Sequence, residues 1–244
     1  TAAPVKHPPG LMTLFFTEMW ERMSYYGMRA LLVLFMVDQV QGAKLSDAQA
    51  TAIYGLYTAL VYVMALPGGW VGDRLLGMKR AVWWGGVVIV LGHITLGIER
   101  PEFFYIGLVI VAVGSGLLKS NMSSMVAQLY PEGGARRDAG YTLFYMGINI
   151  GAFIGMSLCP WLAQRFGWRW GFSACGLVGI LYALPLAFLI RDPARQISTG
   201  AVAAPSPLGA LRELLGNGSF ILLVLYFTLP ALAGIGQTFD HAVS

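Results

Sequence analysis

The stretch that decides the fold is Glu18-Met19-Trp20-Glu21-Arg22-Met23-Ser24-Tyr25-Tyr26-Gly27-Met28-Arg29. It lies inside an apolar segment, residues 11–37, that is long enough to cross a bilayer as a helix. Its polar residues share one helix face, because they recur at i, i+3, i+4, i+7, i+8 and i+11: Glu18, Glu21, Arg22, Tyr25, Tyr26 and Arg29. Ionisable side chains are costly in a membrane, so this stripe is predicted to face a protein interior or a water-filled cavity.

The composition of the 244-residue chain predicts an all-α, polytopic membrane protein. Hydrophobic residues make up 57% of it and charged residues only 11%, and the mean hydropathy is +0.65. Apolar segments of about membrane-spanning length, roughly 20 residues, recur along the chain. They are residues 11–37, 48–70, 80–98, 103–129, 140–163, 170–190 and 219–238. The first segment is too long and too charged for a cleavable signal peptide.

The predicted organisation is a six-helix region over residues 1–190, a linker over 191–218 and a seventh transmembrane helix within 219–244, where the chain stops. The linker contains Pro205-Ser206-Pro207, and residues 208–215 are predicted to form a short interfacial helix. The two cysteines, Cys159 and Cys175, lie inside apolar segments and are interpreted as packing residues without disulfide or metal-site spacing.

Basic residues between the predicted spans orient the chain with its N-terminus in the cytoplasm, where positive charge is enriched. In this orientation nine of the 16 Lys and Arg residues are cytoplasmic: Lys6, Arg74, Lys79, Arg80, Arg136, Arg137, Arg191, Arg195 and Arg212. Four lie outside: Lys44, Arg100, Arg165 and Arg169. A net charge of +4 distributed in this way indicates no nucleic-acid partner.

Lys119 lies deep in the fourth predicted span and is expected to pair with Glu18 or Glu21, since an unpaired ammonium is costly there. A buried carboxylate beside a cation can also bind and release a proton as its surroundings change. We therefore favour a proton-coupling role for this group over a purely structural ion pair. The structural alternative is a permanently ionised contact that joins two helices.

Three other features of the spans have both a structural and a functional interpretation. Gly147, Gly151 and Gly155 predict close helix packing, or smooth faces along which helices rock. Asn149 among them is predicted either to hydrogen-bond between helices or to bind a peptide-like amide. Tyrosines recur in the second span and His93 stands alone in the third, and both are interpreted as packing or structural groups.

An enzyme would need a nucleophile with a base, or a set of metal ligands. The sequence contains no His, Cys and Asp cluster at such spacing, so we predict no catalytic site, no metal site and no cofactor.

With these residues in hand, the chain resembles the proton-dependent oligopeptide transporters, a branch of the major facilitator superfamily. The resemblance is carried by the Glu-x-x-Glu-Arg-x-x-Tyr-Tyr pattern of residues 18–26, by Gly72-Asp73-Arg74-Leu75-Leu76-Gly77, and by residues 141–153. Lys119-Ser120-Asn121 adds a fourth match. Met23 and Ser120 depart from the family pattern, which usually has Phe and Pro there.

The resemblance implies a major facilitator N-terminal six-helix bundle that carries di- and tripeptides with protons, the proton being the coupling ion. Glu18, Glu21, Arg22 and Lys119 would couple proton movement to transport. The peptide site would be formed by Tyr25, Tyr26, Arg29, Tyr62, Lys119 and Asn149. Asp73 and Arg74 would belong to the cytoplasmic gate. The expected partners are small peptides, the lipid bilayer and a second transporter half, and the expected location is the bacterial inner membrane.

After about residue 180 the resemblance ends, and residues 219–238 lack the glutamate that the family usually carries in its seventh span. Two alternatives therefore stay open. One is a major facilitator carrier for another solute, such as nitrate or a sugar. The other is a truncated or chimeric half that does not transport.

Overall fold

The computed structural model describes residues 7–39, 42–98, 100–189, 216–218 and 221–222. It contains α1 (Leu11–Val37), α2 (Asp47–Val71), a π-helical segment (Gly72–Leu76), α3 (Met78–Leu96), α4 (Pro101–Gln128), α5 (Gly134–Phe166) and α6 (Trp168–Leu189). These ranges include no strand, and the all-α prediction is confirmed.

The chain divides into two compact units, Thr1–Ala194 and Arg195–Ser244. The six helices belong to the first unit. Most of the predicted linker and nearly all of the predicted seventh helix lie outside the described residues, so the three-part organisation stays a prediction.

Three of the described helical stretches are long and apolar enough to span a membrane: Asp47–Leu76, Glu102–Gln128 and Gly134–Phe166. Helix α1 has 27 residues and is long enough as well. It differs in the four charged side chains at positions 18, 21, 22 and 29, whose cost must be offset inside the protein.

Helix α2 begins with a capping box and ends later than predicted. Ser46 Oγ accepts a hydrogen bond of 3.3 Å from the Gln49 backbone, and Ser46 N donates one of 3.1 Å to Gln49 Oε1. At the other end the backbone continues through the π-helical segment and stops at Gly77, whose φ of 80° disfavours other residues. The prediction that Asp73 and Arg74 lie in a loop is therefore wrong, because these residues are helical.

Helix α5 also extends beyond its predicted start at residue 140. Its first turns include Arg136 and Arg137, which were predicted to lie in a loop. Arg136 forms a surface ion pair of 3.1 Å with Glu132, at the turn that precedes the helix. Hydropathy could not reveal this extension, since the added turns are polar and exposed.

The bundle is organised by pairs of packed helices: α1 packs on α5 and α6, α3 on α4 and α6, and α2 on α4. Two clusters of buried apolar side chains fill it, and α1 contributes to both. Helix α1 therefore packs against several helices at once, which explains how its polar stripe becomes buried.

Close packing of α1 on α5 depends on glycines that recur every four residues. A Cβ atom at Gly147 would lie 2.9 Å from the Phe15 carbonyl oxygen. At Gly151 and Gly155, added Cβ atoms would overlap the carbonyl oxygens of Met19 and Met23. The predicted close contact is confirmed, and it holds the backbone of α1 against α5 along two turns.

We expect Gly151→Ala to destabilise the bundle by about 1–3 kcal/mol, because the added methyl group meets backbone that cannot rotate away. The measurement is the melting temperature of the chain in detergent. Gly55→Ala is the matched control, since an added Cβ there meets no atom within 4 Å. Equal melting temperatures for the two variants would contradict this account of the α1–α5 contact.

Candidate functional site

The centre of the polar stripe on α1 is a buried cluster of three charged side chains. Glu18, Glu21 and Arg22 are only 2%, 1% and 7% exposed. Arg22 Nε donates a hydrogen bond of 2.7 Å to Glu18 Oε1 and lies 3.2 Å from Glu21 Oε2. One guanidinium thus serves two carboxylates, and the ionised cluster carries one uncompensated negative charge.

The two carboxylates are not equally well bound. Glu18 accepts a hydrogen bond from Arg22, whereas Glu21 Oε2 is buried and accepts none. Glu21 is therefore the carboxylate with the less complete set of partners.

Lys119 of α4 does not form the predicted ion pair in this conformation. Its half-buried side chain places Nζ 4.5 Å from the centroid of the Tyr62 ring on α2, a cation–π contact. Tyr62 itself is 58% exposed. The prediction that Lys119 pairs directly with Glu18 or Glu21 is thus wrong in this conformation, in which Arg22 is the cation beside both carboxylates.

The direction of the Lys119 side chain can be understood from Asn121, two residues later on α4. Asn121 is buried and donates hydrogen bonds of 3.0 Å to the Gly68 carbonyl of α2 and 2.7 Å to the Leu117 carbonyl. Residues two positions apart point to different sides of a helix. Asn121 therefore joins α4 to α2, while Lys119 lies at the half-exposed edge of the same contact.

Arg29 lies at the far end of the stripe and is half-buried. Its Nε donates a hydrogen bond to the hydroxyl of Tyr54 on α2, and its guanidinium carbon lies 5.0 Å from the centroid of that ring. The contact with Tyr54 was not predicted, because the tyrosines of α2 were interpreted as packing residues. Spacing along one helix cannot reveal a partner on another.

Tyr25 and Tyr26 occupy different environments although they are adjacent. Tyr25 is buried and Tyr26 is half-buried, and their rings meet edge to face with centroids 5.2 Å apart. The Arg22 guanidinium carbon lies 6.0 Å from the Tyr25 ring centroid. The predicted stripe thus runs from a buried charged end to a partly accessible aromatic and cationic end.

Asn149 is exposed on α5, and its side chain donates a hydrogen bond of 3.2 Å to the Tyr145 carbonyl of the same helix. This bond lies within one helix and gives no support to the interpretation of Asn149 as a link between helices. Asp73 and Arg74 are exposed in the π-helical segment, at the opposite end of α2 from its capping box.

His93, which was interpreted as a structural group, is fully buried and hydrogen-bonded with Ser24. The contact joins α3 to α1. Within the ranges that the structure describes, no three His, Cys, Asp or Glu side chains are grouped so that they could hold a metal ion.

Comparison with known proteins finds similar transporters. The profile of the PTR2 family, described as the POT family, matches residues 79–191. The peptide transporter YePEPT of Yersinia enterocolitica is 48% identical over 237 residues, which cover 95% of this chain and 46% of that protein. A di-/tripeptide transporter of Lactococcus lactis is 43% identical over 182 residues, 72% of this chain and 36% of that protein.

A solved structure has the same fold. The crystal structure of a peptide transporter POT in complex with sulfate matches with a TM-score of 0.74 at 36% identity, and the match covers 92% of this chain and 47% of that one. The chain spans about half the length of the curated relatives it matches.

We expect Arg22→Gln to destabilise the chain by about 3–5 kcal/mol, because it leaves two buried carboxylates without a counter-charge. The exposed Arg136–Glu132 pair is a matched control with the same i, i+4 spacing. Arg136→Gln should cost at most about 1 kcal/mol. Both values can be obtained from thermal unfolding in detergent at neutral pH, and similar losses for the two variants would contradict the buried-cluster geometry.

Proposed function

Because this chain belongs to the POT family of transporters, we propose that it forms one half of a carrier that moves di- and tripeptides across a membrane together with protons. The observation that carries the proposal is the buried cluster in which Glu18 and Glu21 share Arg22. Relatives described as peptide transporters support the choice of substrate.

The charge of the cluster supports a role in proton coupling. When both carboxylates are ionised, one guanidinium leaves a net charge of −1 in a region with little water, which is unfavourable. Binding one proton makes the cluster neutral. We infer that Glu21 takes this proton, since its Oε2 accepts no hydrogen bond while Glu18 keeps the bond from Arg22.

Lys119 would connect proton binding to peptide binding. The ionised cluster attracts its ammonium group, whereas the neutral cluster does not. Lys119 would then be available to the peptide carboxylate, and its present position over the exposed Tyr62 ring keeps it accessible. Loss of the proton would draw Lys119 back toward α1 and weaken the hold on the peptide.

The other proposed peptide contacts are half-buried or exposed, with the exception of Tyr25. Arg29 would attract the peptide carboxylate, and Asn149 would hydrogen-bond to the amide groups of the backbone. Tyr26 and Tyr62 would line the site, and the buried Tyr25 would support Tyr26 through their ring contact. Asp73 and Arg74 would act at the gate, where their exposure leaves them able to pair with other helix ends.

A second six-helix half would complete the cavity, since carriers of this kind bind substrate between two halves near the middle of the membrane. We place the chain in the bacterial inner membrane with its N-terminus in the cytoplasm, following the distribution of basic residues. A major facilitator carrier for another solute, or a half that does not transport, are the alternatives.

The first test uses the complete carrier that contains this chain, reconstituted in proteoliposomes. An inward proton gradient should drive accumulation of labelled dialanine. Glu21→Gln should reduce this accumulation to background but preserve exchange of labelled for unlabelled peptide, because exchange requires no net proton movement. Glu132→Gln changes an exposed acid of a surface pair and should leave accumulation unchanged.

Undiminished accumulation by Glu21→Gln would refute its coupling role. Failure of a folded complete carrier to take up any dipeptide, combined with uptake of nitrate or a sugar, would instead favour the other major facilitator activities.

The second test measures dialanine binding to the same carrier by calorimetry. Lys119→Ala should weaken binding about tenfold or more, the effect of losing one hydrogen bond to a charged group. Arg80→Ala removes an exposed cation from the first turn of α3 and should leave the affinity unchanged. Equal affinities for unaltered carrier and Lys119→Ala would exclude Lys119 from the peptide site.

A further inference from the structure

A cavity of about 720 Å³ lies at the end of the bundle where α1 and α3 finish and α4 and α6 begin. Phe35 of α1 is part of its wall and follows Arg22 by 13 residues, which places the cavity about 20 Å along the helix from the charged cluster. Its volume is typical of sites that hold a small organic molecule. No role in the proposed peptide site uses this cavity.

The floor of the cavity is a preformed aromatic cluster. The Phe35 ring contacts those of Phe104, Phe172 and Trp168, with centroids 5.2, 5.5 and 6.0 Å apart. Trp168 Nε1 donates a hydrogen bond of 2.7 Å to Asp38 Oδ2, which fixes the indole at the end of α1. The apolar surface is therefore held in place before any ligand arrives.

Two arginines stand at the same cavity. Arg169 is positioned by a hydrogen bond of 3.1 Å from its Nε to the Gly97 carbonyl. Arg100 is exposed at the start of α4. Of the described residues that line the cavity, none is acidic. The described lining thus combines an apolar floor with two guanidinium groups, and the Asp38 carboxylate lies beside this floor on Trp168.

Aromatic residues at the rim of the cavity indicate that its apolar floor and its arginines lie at the depth of lipid headgroups. Tyr105, Phe166 and Trp170 line the cavity and are 44%, 57% and 59% exposed. Exposed aromatic residues at the ends of membrane helices mark the interface between the hydrocarbon and water. An aromatic belt alone accounts for these rings, but it does not account for a concave site that contains two guanidinium groups.

We propose that this cavity binds one anionic phospholipid, with the phosphate between Arg100 and Arg169 and an acyl chain along the aromatic floor. Arginine side chains bind the phosphate of such a headgroup through charge-assisted hydrogen bonds. A free inorganic anion would use the arginines but leave the aromatic floor uncovered. A zwitterionic lipid would cover the floor but would add no net negative charge.

The test is native mass spectrometry of the 244-residue chain in detergent, with dioleoyl phosphatidylglycerol or dioleoyl phosphatidylcholine added. The chain should bind one phosphatidylglycerol in clear preference to phosphatidylcholine. Arg100→Ala/Arg169→Ala should weaken phosphatidylglycerol binding about tenfold or more, as expected for the loss of two interfacial cations. Arg80→Ala/Arg137→Ala, a pair of exposed cations at the other end of the bundle, should leave it unchanged.

Equal binding of the two lipids, or an unchanged affinity in the Arg100→Ala/Arg169→Ala variant, would overturn the proposal. Competition by inorganic phosphate at the concentration of the lipid would overturn it in favour of a free anion.

If the alanine variant does not fold, Arg100→Lys/Arg169→Lys tests the same charges and should keep the preference for phosphatidylglycerol. Brominated phosphatidylglycerol should also quench tryptophan fluorescence, and Trp170→Phe should reduce that quenching. Quenching that Trp170→Phe leaves unchanged would refute an acyl chain at this rim.

Discussion

The structure depends on one electrostatic constraint, the need to compensate two carboxylates that α1 buries in the middle of the bundle. Glu18 and Glu21 are on the same face as Arg22, and the guanidinium lies within 3.2 Å of both. Removing these groups from water costs several kcal/mol for each charge, so the cluster is tolerable only when its partners are fixed in place. The incomplete compensation that remains is the feature a proton can correct.

The rest of the bundle fixes those partners. Because the glycines of α5 have no side chains, the α1 backbone can lie directly against α5. The carbonyl groups of Phe15, Met19 and Met23 then occupy the positions where Cβ atoms would otherwise be. This contact sets the rotation of α1, and the rotation determines which side chains are buried. The hydrogen bond between Ser24 and His93 holds the same helix against α3. Helix packing and charge compensation therefore support the same position of α1.

Different parts of the molecule were predictable to different degrees. Helix α1 has the predicted bounds, residues 11–37, because a long apolar run ends in polar residues on both sides. The α2 end was not predictable, since Asp73 and Arg74 look like loop residues but continue the helix in a π-helical turn. The polar start of α5 was not predicted for the same reason. Hydropathy identifies membrane-spanning segments but does not identify helical turns outside them.

The sequence by itself determined that Glu18, Glu21 and Arg22 share one face, because helix periodicity depends only on spacing. It also determined that such a face must be buried in protein or line water. Only the tertiary structure decided the pairing. Lys119 is remote in sequence, and whether its ammonium meets a carboxylate or the Tyr62 ring depends on the relative rotation of α1, α2 and α4. That rotation follows from glycine contacts between helices, which spacing along one helix cannot specify.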